Sequence, residues 1–212
     1  MKIKVCGLKY PENIKAVAAL SPDCIGFIFY ESSPRYAEPL DAETLTHLPG
    51  SINKTAVFVD EKKELIGALI EKYGFDAIQL HGNEGADFCN SFRNDVKVLK
   101  AFGLTENFDF NRLNEYAGKV DFFLFDTKTS LHGGSGKTFN WDLLKGYKLD
   151  IPFFLSGGLS LGNLEEIKNI DHPQFYGVDL NSRFETAPGV KDIKKLEQAF
   201  DIVKQNTNEL RS

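Results

Sequence analysis

Phe122-Phe-Leu-Phe-Asp-Thr127 places four large apolar residues in a row and closes them with a carboxylate. A strand with one wet face alternates apolar and polar side chains. An unbroken apolar run of this length, with polar residues on either side, belongs to a strand covered on both faces, as in a parallel sheet. Working outward, the same short apolar run recurs at 3–6, 24–29, 55–59, 77–80, 96–101, 152–155 and 175–180. Most are rich in Val, Ile and Phe, which suit a pleated, buried surface.

The stretches between these runs have helical spacing. Residues 61–73 put Leu65, Ile66, Leu69 and Ile70 on one face among charged neighbours, and 162–170 repeat the pattern. Residues 191–203 do so with Ile193, Leu196, Phe200 and Val203. Asp41, opening Asp-Ala-Glu-Thr, and Thr105, before an acidic turn, are expected N-caps. Eight strand–helix units of roughly 25 residues, with no linker between them, predict one (β/α)₈ TIM barrel over residues 1–212. An open doubly wound sheet is the alternative. It usually has fewer strands at this length, and no GxGxxG follows the first run.

Composition excludes several functions. Lys and Arg number 25 against 30 Asp and Glu, a net charge of −5, so no basic face for nucleic acid is supplied in bulk. No apolar run approaches the ~20 residues that span a bilayer. The first residues carry Pro11 and Glu12 where a signal peptide needs its apolar stretch. Cys6, Cys24 and Cys89 make no close pair and no zinc spacing, which fits a reducing cytoplasm. Monomer and homodimer both fit the sequence.

In such a barrel the chemistry sits at the C-terminal strand ends. Those ends carry Cys6, Arg35, Asp60, His81, Asp126, Ser156-Gly157-Gly158 and Asp179-Leu-Asn181-Ser182. Cys6 reads as a buried core thiol or as a catalytic one. Asp126 emerges from a very apolar strand, as a structural acceptor or as an acid that burial keeps protonated. His81 fits a turn histidine as well as a ligand contact. Arg35, stiffened by Pro34, suits a planar carboxylate or a surface ion pair. Gly157, Gly158, Asn181 and Ser182 follow strands seven and eight, where barrels often cradle phosphate, with 181–185 as a short extra helix. Gly133-Gly-Ser-Gly-Lys-Thr138 looks like a nucleotide loop, but GxxxxGK[ST] needs glycine where Leu131 stands. It reads instead as a lid or substrate loop over 127–139.

These residues in order resemble the phosphoribosylanthranilate isomerase family. The matching stretches are Lys4-Val-Cys-Gly-Leu8, Gly26-Phe-Ile-Phe29 with Ser33-Pro-Arg-Tyr36, Val57-Phe-Val59, Gln79-Leu-His-Gly-Asn-Glu84 and Phe125-Asp-Thr127. Gly133–Phe139 with Trp141, Leu155-Ser-Gly-Gly-Leu159, Gly177-Val-Asp179 and Glu185-Thr-Ala-Pro-Gly189 complete the set. Any one stretch is weak, whereas the ordered series is specific. The resemblance implies an Amadori rearrangement of a phosphorylated small molecule in tryptophan biosynthesis, with no cofactor and no metal. It implies Cys6 as general base, Asp126 as general acid, Arg35 facing the anthranilate carboxylate, and His81 and Asp179 lining the site. Gly157, Gly158, Asn181 and Ser182 match its phosphate cradle. The family's turn after strand eight reads Ser-Ser-Gly, and here Arg183 takes the place of the glycine.

Three rivals remain at this stage. A sugar-phosphate epimerase typically needs a metal and several histidines, yet His47, His132 and His172 fall outside the strand ends. Indoleglycerol phosphate synthase wants a catalytic lysine and glutamate and an extra N-terminal helix. A barrel that only binds a phosphorylated metabolite needs neither Cys6 nor Asp126.

Overall fold

The structure is a computed structural model and describes residues 1–127 and 141–209. The Gly-rich loop expected to act as a lid lies outside the described residues for most of its length. Eight strands, β1 (Lys2–Cys6), β2 (Cys24–Ile28), β3 (Asn53–Phe58), β4 (Ala77–Leu80), β5 (Lys97–Leu104), β6 (Phe122–Thr127), β7 (Phe153–Ser156) and β8 (Phe175–Leu180), pair in sequence order. All pairs are parallel, and β8 returns to β1 through Val178 opposite Ile3, closing the barrel. The (β/α)₈ expectation holds.

Burial follows the two-residue period of a strand. Ile3, Val5, Phe27, Phe58, Phe123, Phe125 and Phe153 point outward into the large core beneath the helices. That layer is aromatic, with Phe125 and Phe153 centred 4.9 Å apart. Full burial of each such ring contributes about 1.5–3 kcal/mol. The alternate positions Ala77, Leu99, Ala101, Leu124 and Phe154 fill the lumen as a separate cluster. Lys4, Thr55, Gln79, Ser156 and Asp179 are also buried, and they form the polar floor of the site.

Around the barrel run α1 (Pro11–Ala19), α2 (Ala42–Thr46), α3 (Lys63–Tyr73), α4 (Ala86–Asn90) and α5 (Ile193–Glu209). Asp41 caps α2 as expected, accepting from the backbone N–H groups of Glu43 and Thr44. Gly74, at φ 61°, ends α3 in the left-handed conformation. Three expectations need correction. The helix after β5 does not start at Thr105: the strand runs on to Leu104, and a 3₁₀ segment Phe110–Tyr116 begins where Asp109 accepts from Asn111 N–H. The stretch 162–170 is a 3₁₀ segment, Leu164–Asn169. Both are held by i→i+3 hydrogen bonds, such as Arg112 N–H to the Asp109 carbonyl and Glu166 N–H to the Asn163 carbonyl. The last helix starts at Ile193, because Val190–Lys191 (β10) pairs with Glu185–Ala187 (β9) in a small antiparallel ribbon. Asn13 of α1 holds the Lys191 backbone from both sides, accepting from its N–H and donating to its carbonyl.

Candidate active site

The polar residues divide across the mouth into two groups. On the β1, β2 and β8 side, Cys6 ends β1 with 3% exposure. Gly26 lies opposite it in register, and a Cβ there would stand 2.6 Å from the Cys6 sulfur. Only glycine permits that approach. Two residues below Cys6, Lys4 donates to Asp179 Oδ1 at 3.0 Å, and Ser156 Oγ lies 3.4 Å from the other carboxylate oxygen. Lys191 is buried, donating to Glu185 Oε1 at 2.6 Å and to Asn181 Oδ1 at 2.8 Å. Glu185 also takes the fork of Arg35, from Nε at 2.9 and 3.0 Å and from Nη2 at 2.6 Å. This is the bidentate geometry guanidinium favours.

The electrostatics follow from burial and these partners. Burial pushes the Cys6 thiol up. Lys4, hydrogen-bonded to it, pulls it down, the Asp179 carboxylate reinforces the rise, and Lys191 opposes it. Burial outweighs the two ammonium groups, and the thiol stands above its ordinary value. Burial draws the Lys4 ammonium down, but Asp179 and Cys6 outweigh it and hold the group above its ordinary value. Burial lowers Lys191 in spite of Glu185. The Glu185 side chain is only 4% exposed, yet its bonds from Arg35 and Lys191 keep it below the usual carboxylate range.

On the opposite side, His81 Nε2 stands 3.5 Å from Asp126 Oδ2, and His81 Nδ1 is 2.8 Å from the Gln79 amide nitrogen. The Asp126 side chain keeps 24% exposure, so it opens on the mouth although its strand is buried. The turn beyond β4 is braced by Glu84, which accepts from the backbone N–H groups of Asp60 and Gly82 and pairs with buried Lys100 at 3.1 Å. A cleft of about 280 Å³ opens here between His81, Phe102, Phe108, Arg112 and Asp126.

The turn after β7 has Gly157 at φ 86° and Gly158 at φ 69°, a region side chains avoid. Asn163 pins it by donating to the Gly158 carbonyl and accepting from Ser160 N–H. Ser182–Phe184 forms one 3₁₀ turn after β8, in the place expected for the extra helix. Ser182 and Arg183 are exposed, and the Asn181 carboxamide oxygen is committed to Lys191.

The strand ends thus bring together Cys6, Arg35, Asp179 and Asn181 on one side and His81 with Asp126 on the other, with Gly157 and Gly158 beside β8. Reading the sequence for strand ends passed over Lys4, Gln79, Glu185 and Lys191. Two-residue spacing from Cys6 and His81 was a usable signal for Lys4 and Gln79. Glu185 and Lys191 gave none, since their positions depend on the β9–β10 ribbon. Among the described residues no group of three or more His, Cys, Asp or Glu side chains could hold a metal ion, and no helix is long and apolar enough to cross a membrane.

A closed parallel barrel whose mouth gathers a thiol, a carboxylate–imidazole pair and paired glycines has the architecture of a (β/α)₈-barrel enzyme. The family model described as N-(5'phosphoribosyl)anthranilate (PRA) isomerase matches residues 3–202. The N-(5'-phosphoribosyl)anthranilate isomerase of Parabacteroides distasonis is 46% identical over 199 residues, covering 92% of this chain and 90% of that protein. That of Phocaeicola vulgatus is 41% identical over 97% of this chain and 98% of its own. Among solved structures, the Thermotoga maritima phosphoribosyl anthranilate isomerase superposes with a TM-score of 0.82 at 30% identity, covering 97% of this chain and 99% of that one. A phosphoribosyl anthranilate isomerase in complex with reduced 1-(o-carboxyphenylamino)-1-deoxyribulose 5-phosphate gives 0.82 at 28% identity, with the same coverage. The chain belongs to the N-(5'-phosphoribosyl)anthranilate isomerase family and is an isomerase of tryptophan biosynthesis.

Proposed function

We propose that the enzyme, working in the cytoplasm, converts N-(5'-phosphoribosyl)anthranilate to 1-(o-carboxyphenylamino)-1-deoxyribulose 5-phosphate, with Asp126 as general acid and Cys6 as general base. Asp126 gives its proton to the furanose ring oxygen as the C1–O bond breaks, and the nitrogen lone pair forms a protonated Schiff base. Cys6, having given its resting proton to solvent, then takes the proton from C2 as thiolate, and the electron pair moves toward nitrogen to give an enolamine. The Cys6 thiol returns its proton to C1 while the C2 hydroxyl gives its proton to the Asp126 carboxylate, which yields the aminoketose and restores both groups. The observation that carries this reading is Cys6 at the end of β1, served by the two ammonium groups of Lys4 and Lys191. A thiol that burial protonates at rest gains from neighbouring cations when it must become thiolate.

The other assignments follow the same frame. Arg35 spends Nε and Nη2 on Glu185, and its Nη1, without a partner among the described residues, is the edge offered to the anthranilate carboxylate. Gly157, Gly158 and the 3₁₀ turn at Ser182 receive phosphate through backbone N–H groups. Asp179 acts from below, through Lys4, and Asn181 through Lys191.

The test is loss of phosphoribosylanthranilate fluorescence, with substrate made in situ from anthranilate and phosphoribosyl pyrophosphate. Cys6→Ser and Asp126→Asn should each lose at least about 10²-fold in kcat. Either variant turning over like the wild type would remove that residue from its role. An inactive wild type that binds a reduced product analogue would favour the metabolite-binding barrel.

A further inference from the structure

Gln79 is the polar residue of β4 that the acid–base chemistry leaves unused. It points into the lumen, 1% exposed, with Val57 of β3 and Leu99 of β5 opposite it in register. Its amide nitrogen bonds His81 Nδ1 at 2.8 Å, while its Oε1 is buried with no hydrogen-bond partner among the described residues. A buried, unpaired amide oxygen destabilises a fold, and an apolar side chain of the same length would carry no such burden. Turning the amide over would be worse, since both N–H groups would then be buried without a partner where one of them is now bonded, and an orphaned buried donor is rarer than an orphaned carbonyl. The amide nitrogen therefore faces the ring. A donor at Nδ1 requires the lone pair there, which puts the ring proton on Nε2, the atom 3.5 Å from Asp126 Oδ2.

We propose that Gln79 is a positioning residue that holds His81 in its Nε2–H tautomer, so that the imidazole presents a proton to the Asp126 carboxylate. The inference rests on reading Asp126 as the general acid. When Asp126 gives its proton to the ring oxygen it is left anionic, and the His81 N–H donates a hydrogen bond to that new charge. The proton stays on Nε2, so the proton count of the reaction is unchanged. The contact is long at rest and tightens as charge develops, where a prepared donor acts most strongly. In the other tautomer the Nε2 lone pair would face the carboxylate and repel it.

The tautomer is directly measurable by two-bond ¹H–¹⁵N correlation of the imidazole rings at about pH 8, where an ordinary histidine is neutral. His81→Asn assigns the signal. Wild type should show Nε2–H alone. Gln79→Glu, whose carboxylate accepts from Nδ1–H, should invert the pattern and lower kcat at least about 10-fold, with KM held within about 2-fold. Gln79→Met keeps the volume without the amide and should show a mixture, which decides the matter if the Glu variant fails to fold. An Nδ1–H wild type, or Nε2–H retained in full by the variants, overturns the proposal. Wild-type turnover by Asp126→Asn would overturn the acid assignment instead, and the spectra would still report on Gln79.

Discussion

Lys4 Nζ and Asp179 Oδ1 meet at 3.0 Å inside the barrel, with side chains 0% and 4% exposed. The pair joins β1 to β8 at the seam that closes the sheet, where Lys4 and Asp179 are register partners. It also sets a cation two residues beneath Cys6. Lys4→Met leaves Asp179 buried and unpaired, which should cost about 3–5 kcal/mol in urea unfolding. Lys4→Met with Asp179→Leu should recover much of that loss, because an apolar pair carries no desolvation penalty. Lys4→Met should alkylate Cys6 with iodoacetamide only at higher pH than wild type, since the ammonium that favours the thiolate is gone, and the double variant should shift less, since the Asp179 carboxylate that opposes the thiolate is gone as well. An unchanged alkylation profile would separate Lys4 from the thiol.

Gly26→Ala tests the close approach of β2 to the thiol. The added methyl would sit 2.6 Å from the Cys6 sulfur and 3.2 Å from its Cα. The strand backbone cannot give way without breaking the Cys6–Gly26 register, so Cys6 must move. Misplacing a reacting atom by about 1 Å costs roughly 10²-fold in rate. The expected outcome is that loss in kcat with the circular dichroism spectrum preserved.

Glu185 joins Arg35 to Lys191, and its carboxyl is held below the ordinary value of 4.5 in the fold. The stability it supplies is complete above that value and is lost as pH falls through the lower folded value. Glu185→Gln removes the charge and leaves the Lys191 ammonium buried without its anion. It should destabilise the protein by about 3–5 kcal/mol at neutral pH. Its unfolding midpoint should also fall less than that of wild type between about pH 5 and 3, which urea titrations across that range would show.

Cys24 and Cys89 predict the alkaline limb. Burial pushes both thiols up from 9.0 to about 11. Their contribution to stability is full below 9 and declines as pH rises toward 11, because the unfolded chain gives up its protons first. The Cys24→Ala/Cys89→Ala variant loses packing at neutral pH. Its urea midpoint should nevertheless vary less than that of wild type between about pH 8 and 10.

What the sequence determined by itself is the barrel and the inventory of its mouth. Fully apolar runs such as 122–125 demand cover on both faces, and eight of them at even spacing leave few ways to supply it. Cys6, His81, Asp126 and Asp179 then fall at or just beyond strand ends by register alone. Helix type did not follow from periodicity. The same apolar spacing serves an α-helix and a 3₁₀ segment, and the length between strands does not decide which forms: residues 59–76 hold α3, whereas the equally long 157–174 hold the 3₁₀ segment Leu164–Asn169. The fate of the charges was settled only by tertiary structure. Arg35 and Glu185 are 150 residues apart and Lys4 and Asp179 are 175 apart, so no local rule pairs them. Closure of the barrel and the fold of the β9–β10 ribbon bring those ions together out of water. There, distance and burial, more than residue type, decide which group keeps its charge.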